Sequence, residues 1–187
     1  MNNNELQCKF YTFENQKLGR LNMIIAKEIY PHRPCFCFQS KLVVAQAMTC
    51  KDSINDTLYN NLERKKRLAE ACYKNSRSLP DSVILDWFGV NVDYRDKNLG
   101  RDTMQGLIQD LRENGCTSIC GTSTQSSAPF YRAIGLNVAQ HGRIYSRTTN
   151  PLIQAPADKF TLDEKCSEWA TEILNDKGNL FETYTYA

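Results

Sequence analysis

Apolar positions along this chain switch between two spacings, and the switches mark its elements. Residues Leu6 to Phe13 alternate well enough for a β-strand, and Leu18, Leu21, Ile25 and Ile29 then recur at helical spacing through LGRLNMIIAKEI, which predicts a helix. Past the breaker segment PHRP, the stretch CFCFQSKLVVAQAM holds two apolar runs around Gln39, Ser40 and Lys41. It predicts a β-hairpin carrying the second and third strands. Ile54, Leu58, Leu62, Ala69 and Cys72 fall on one face of a long predicted helix, the extra helix between strands three and four. Its other face holds Glu63, Arg64, Lys65, Lys66 and Arg67, a charge run that reads as solvated.

Pro80 and Asp81 break that helix, and VILDWFGVNV follows as an apolar, β-branched run whose single acid is Asp86. It predicts a central strand, the fourth. A helix from Leu99 to Glu113 turns Thr103, Leu107, Ile108 and Leu111 inward and stops at Asn114 and Gly115. A strand from Thr117 to Gly121, a helix from Ser126 to Ile134 closed by Gly135, and a hairpin of Leu136 to His141 with Arg143 to Thr148 around Gly142 come next. This order predicts an α/β fold, with an α+β mixed sheet and one parallel crossover near the middle. From Asn150 the segment PLIQAPADKF is linker-like. Thr161 and Glu164 then form a capping box that opens an amphipathic helix of Leu162, Cys166, Trp169, Ala170 and Ile173. The expected division is a domain over 1–149 and, over 150–187, a linker with a C-terminal helix that packs on the domain or on a partner.

Composition narrows the class without naming a partner. At 187 residues, with 41% hydrophobic and 24% charged positions, the chain suits one folded domain. Lys plus Arg number 23 against 21 for Asp plus Glu, so no global positive field recruits nucleic acid or an anionic membrane. The start MNNNELQCKF lacks a secretory signal, and no apolar run approaches the roughly 20 residues of a membrane span. A cytoplasmic location is expected, which makes the eight cysteines reduced thiols. Cys35 and Cys37 with His32 lack a second ligand pair at zinc spacing, so no metal is expected.

The stretch from Val90 to Arg101 carries the chemistry, because a strand there ends in a polar turn that runs straight into a helix. The first N–H groups of a helix have no internal partner and the macrodipole is positive there, so such a turn can hold an anion by main chain. Gly100 leaves room for close approach, Asn98 tolerates a left-handed backbone, and Lys97 and Arg101 can add charge to a phosphate. Spacing alone also fits a well-capped helix start with no ligand.

Arg95-x-x-Asn98-x-Gly100 resembles the Arg/Gln-x-x-Gly-x-Gly/Ala turn of the GCN5-related N-acetyltransferases, with Asn98 in place of one glycine. About thirty residues on, Phe130-Tyr131-Arg132-Ala133-Ile134-Gly135-Leu136 resembles the aromatic-Tyr-x-x-x-Gly-Phe/Leu ending of the same family. The resemblance covers roughly residues 36–147. It implies direct transfer of an acetyl or other acyl group from CoA to an amine, with CoA lying between the fourth and fifth strands. Arg95, Lys97, Asn98, Leu99, Gly100 and Arg101 would hold the pyrophosphate, the backbone of Val90 and Val92 the pantetheine arm, and Thr124, where the family often has Asn, a cofactor contact. Tyr131 would protonate the departing thiolate, or else be a buried core phenol. Asp86, nine residues before Arg95, would accept the amine proton with a pKa raised by burial or through a water chain, or else order a loop or bind substrate charge. A bulge at Gly89 would expose an N–H to the thioester oxygen. His32 and His141 receive no role, and Cys116 and Cys120 show no base partner for an acyl-enzyme route. Expected partners are an amine-bearing small molecule, peptide or protein, with no nucleic acid, no membrane and a homodimer left open. The alternative is a catalytically degenerate relative that binds acyl-CoA or a protein partner.

Overall fold

The protein is described by a computed structural model over residues 5–29, 46–49, 68–76, 78–154, 156 and 158–176. Strands β1 (Glu5–Asn15) and β2 (Gly19–Ile29) form an antiparallel hairpin in continuous register, Glu5 opposite Ile29 and Asn15 opposite Gly19. β3 (Gln46–Thr49) pairs with β2. A second sheet contains β4 (Ala69–Asn75), β5 (Ser82–Val90), β6 (Ser118–Thr122), β7 (Asn137–Val138) and β8 (Arg143–Arg147), in the order β4-β5-β6-β8-β7. Only β5 and β6 run parallel within it, joined by helix α1 (Leu99–Glu113). Helix α2 (Ala128–Ala133) lies between β6 and β7. The two-residue strand β9 (Thr161–Leu162) completes the first sheet beside β1, and α3 (Glu164–Asp176) follows it. The class is mixed α/β, as the order of periods predicts.

Residues 19–29 are a strand and not the predicted helix. Every position from Leu21 to Ala26 is buried, with Leu21, Met23 and Ile25 in the main core and Ile24 and Ala26 buried at the alternate positions. A run buried on both faces satisfies helical and strand spacing equally. Pairing with β1 along its whole length decides for the strand.

The predicted long helix also gives way at its end. Residues 54–67 lie outside the described residues, but Ala69, Ala71 and Tyr73, two positions apart, are buried and belong to β4. Of the predicted 35–48 hairpin, residues 46–48 are described, as part of β3. His32, Cys35 and Cys37 lie outside the described residues. Cys8 and Cys120 carry free thiols.

The segment after Asn150 returns to the core. Ile153 and Phe160 are buried in it, and the Phe160 ring lies 5.0 Å from that of Phe13. Thr161 is consumed by β9, so the cap of α3 falls to Asp163: the Cys166 N–H donates to its Oδ1 at 3.0 Å. That bond holds the Asp163 carboxyl below its usual range. Its folded-state pKa being depressed, the cap contributes fully above the ordinary carboxylate value and is lost as pH falls through the lowered one. Among the described residues no helix is long and apolar enough to cross a membrane.

α1 ties the layers together. Met104, Leu107, Ile108 and Leu111 are fully buried, and two buried carboxylates on the helix are each neutralised from a neighbouring segment. Lys9 of β1 reaches Asp110 at 3.0 Å, and Lys159 pairs with Asp102 while also donating to Gln105 at 3.0 Å. Losing either lysine would strand a buried charge.

The parallel ladder of β5 and β6 runs from Ser82 opposite Ser118 to Leu85 opposite Gly121 and goes no further. β5 continues along β4 to Val90, so a gap opens between β5 and β6. Gly121 permits the last contact, since a Cβ there would sit 2.8 Å from the Leu85 carbonyl oxygen. Gly121→Ala is therefore expected to cost about 1–3 kcal/mol as the two backbones are forced apart. Denaturant midpoints measure this, and an unchanged midpoint would contradict the tight approach.

Candidate functional site

The gap opens into a cleft of about 700 Å³ lined by Phe88, Gly89 and Val90 of β5, by Tyr94, Arg95, Asp96 and Asn98 of the following turn, and by Leu99, Gly100 and Arg101 of α1. Ser126, Ser127, Phe130, Tyr131, Ala133 and Ile134 form the facing wall.

The turn is built by short polar residues. Asn91 accepts the Asp93 N–H at 3.1 Å and opens a single 3-10 turn over Val92–Tyr94. Asp96 and Asn98 then adopt left-handed backbone, with φ of 58° and 59°. The α1 ladder begins with the Asp102 N–H donating to the Asn98 carbonyl at 3.0 Å, and the Asn98 side chain makes no cap bond. The N–H groups of Leu99, Gly100 and Arg101 thus precede the ladder, in residues that line the cleft. This is a concentrated donor set at the positive end of a 15-residue helix.

The charged side chains divide. Arg95 and Arg101 line the cleft, and Arg101 donates to the Ala133 carbonyl at 2.9 Å across it. Lys97 lies outside the lining, its Nζ bonded to the Asp93 carbonyl at 2.7 Å and 5.1 Å from the centre of the Tyr94 ring. The space left by Gly100 goes to protein: a Cβ there would meet the Phe130 ring at 3.0 Å and Val90 Cγ2 at 3.3 Å.

The two residues paired by expectation with the pantetheine arm separate. Val90 closes β5 and lines the cleft, whereas Val92 sits in the 3-10 turn, 69% exposed and outside the lining. Thr124 is likewise outside. Its Oγ1 accepts the Ser127 N–H at 3.3 Å while Ser127 Oγ accepts the Thr124 N–H at 3.0 Å, so it closes the turn into α2. The cleft wall there belongs to Ser126 and Ser127, a polar pair ahead of Ala128-Pro129 that the sequence reading passed over.

Tyr131 is buried and lines the cleft inside an aromatic cluster. Phe88 stacks on Phe130 at 5.2 Å, and the Tyr131 ring meets Phe130 edge-on at 5.3 Å. Burial pushes its phenol above the ordinary value of 10.0, which keeps it a proton-bearing donor at neutral pH.

Asp86 departs from expectation in two ways. It is exposed where burial was expected, and it is not part of the cleft lining. The β5 bulge also falls here and not at Gly89: Cys72 faces Trp87 and Tyr73 faces Leu85, which leaves Asp86 as the extra residue. Gly89 stays in register opposite Glu70, and a Cβ on it would sit 3.3 Å from the Trp87 indole nitrogen. Its bareness makes room for that ring. Cys120, whose thiol burial pushes up, donates to the Val83 carbonyl at 3.5 Å and takes no part in the cleft.

No family model and no curated protein matches the chain. Several solved structures share its outline. An acetyltransferase of the GNAT family from Staphylococcus aureus is 12% identical, with 57% of this chain and 68% of that one covered and a TM-score of 0.44. The ribosomal-protein-S18-alanine N-acetyltransferase of Escherichia coli is 17% identical, covering 63% and 72%, with a TM-score of 0.41. A GNAT-family N-acetyltransferase from the same organism, in complex with CoA, is 12% identical over 62% and 63%, with a TM-score of 0.42. Likeness at this level leaves the chemistry of the site to rest on this chain's own residues.

The buried phenol is directly measurable. In ultraviolet titration, wild type minus Tyr131→Phe should show one tyrosine that ionises only above about pH 10. A difference transition at or below that value would contradict the buried placement.

Proposed function

We propose that the chain is an acyl-CoA-dependent N-acyltransferase of the GCN5-related kind, moving an acetyl or other acyl group from CoA directly to an amine. The observation that carries this reading is one cleft that joins the unladdered N–H groups of Leu99, Gly100 and Arg101 to the buried Tyr131 phenol, where β5 and β6 part.

The residues fit the donor. Main-chain N–H groups, with Arg95 and Arg101 beside them, suit a pyrophosphate. The β5 segment from Phe88 to Val90 runs along the opening and suits an extended arm, with Phe88 and Phe130 as its apolar walls.

In this reading the amine nitrogen attacks the thioester carbon, the carbon–sulfur bond breaks, and the amine loses its proton. An alkyl amine with a pKa near 10.4 costs about 4.6 kcal/mol to deprotonate at pH 7, so an acceptor helps. Asp86, exposed at the bulge just past the ladder, would attract the protonated amine and take its proton through water. Tyr131 would serve the sulfur. A thiol ionises near 8.5, below the Tyr131 phenol, so that phenol stabilises the leaving thiolate by donating a hydrogen bond more than by giving up its proton.

The acceptor class stays broad: a small amine, a peptide or a protein, in a cytoplasmic setting. The position of Asp86 outside the cleft lining favours one second reading, a degenerate relative that binds acyl-CoA or a protein partner without turnover.

Free-thiol release from acetyl-CoA across a panel of amines and peptides tests the proposal. Turnover is expected with at least one acceptor, and Tyr131→Phe should lower kcat about ten- to a thousandfold with CoA affinity and Tm nearly unchanged. CoA binding without turnover would favour the second reading, and no CoA binding would reject the transferase and leave only the protein-partner form of the second reading.

A further inference from the structure

We infer that the tip of the β1–β2 hairpin is a clamp that aims the N–H groups of the 95–101 turn, with Asn15 as its central positioning residue. The inference rests on the reading of that turn as the CoA pyrophosphate site.

Asn15 ends β1, is 3% exposed, and uses both ends of its amide. Its Oδ1 accepts the N–H groups of Lys17 and Leu18 at 2.9 and 2.8 Å, which sets the hairpin turn. Its Nδ2 donates to the Lys97 carbonyl at 2.8 Å and to Asp102 Oδ2 at 2.6 Å. Beside it, Lys17 Nζ donates to the Asp96 carbonyl at 2.7 Å, and Asn98 Nδ2 donates to Gln16 Oε1 at 3.4 Å. Two consecutive carbonyls of the turn, those of Asp96 and Lys97, are therefore both drawn toward the hairpin.

A planar trans peptide fixes the rest. The N–H of the next residue points opposite to each carbonyl, so the Lys97 and Asn98 N–H groups are turned away from the hairpin. They would join those of Leu99, Gly100 and Arg101 as donors to one anion, the arrangement of a backbone nest. Left-handed backbone at Asp96 and Asn98 is unfavourable for residues other than glycine, and the clamp supplies the bonds that hold it. Only a carboxamide fits position 15. A carboxylate there would set oxygen against the Lys97 carbonyl and the Asp102 carboxylate, where the amide offers N–H to both.

Calorimetric titration with CoA and with pantetheine, which lacks the pyrophosphate, separates positioning from general support. Asn15→Asp should weaken CoA binding by more than tenfold. Lys17→Met removes one exposed hydrogen bond and should weaken it about five- to tenfold, with Tm unchanged. The Lys17→Met loss should persist at about 0.5 M salt, where long-range attraction is screened. Pantetheine should bind all three proteins alike. If Asn15→Asp does not fold, Lys17→Met decides alone. Wild-type CoA affinity in the variants, equal losses for both ligands, or a loss that vanishes in salt would each overturn the clamp. Failure of the wild type to bind CoA would instead remove the underlying reading, and the clamp with it.

Discussion

The parallel ladder between β5 and β6 stops after Leu85 and Gly121, and the whole candidate site depends on that stop. Had the ladder run on, Phe88 and Val90 would face a neighbouring strand, and no cleft would separate α1 from α2. β5 keeps its pairing with β4 beyond the stop, which leaves the strand rigid on one side and open on the other. A rigid strand with one open side can receive an extended ligand, and the helix that follows it offers N–H groups at the end of the same opening. Positional precision comes from elements that are buried for other reasons, α1 above all.

Holding α1 in place involves charge inside the protein. Asp102 and Asp110 are buried on it, and each is met by a lysine from a segment distant in sequence, Lys159 and Lys9. Such pairs add little stability compared with apolar packing, but they specify register, because a shifted helix would leave a carboxylate unmatched. The same logic extends to Asn15, whose four hydrogen bonds join the first hairpin, the 95–101 turn and the first turn of α1.

Much of this arrangement could be read from the chain alone, where one local pattern had one solution. The bounds of α1 from Leu99 to Glu113, its stop at Asn114 and the left-handed Asn98 follow from periodicity and turn chemistry. The opposite happened wherever several solutions shared one pattern. Leu21 to Ala26 are buried at every position and apolar at all but Asn22, so their period is undefined until β1 pairs with them. Ala69, Ala71 and Tyr73 alternate, but the run continues a pattern that fits a helix. Thr161 has the right neighbour for a capping box, yet β9 takes it and Asp163 caps α3 instead. The bulge at Asp86 and the contacts of Asn15 depend on cross-strand register and on segments about eighty residues apart, which no local window contains.

The central claim is that the start of α1 holds the pyrophosphate of CoA. Backbone amide NMR under CoA titration tests it most directly. The account predicts that the N–H resonances of Leu99, Gly100 and Arg101 move the most, toward the positions of hydrogen-bonded amides, and saturate with the affinity found by calorimetry. Saturable CoA binding that leaves these three amides where they were would contradict it.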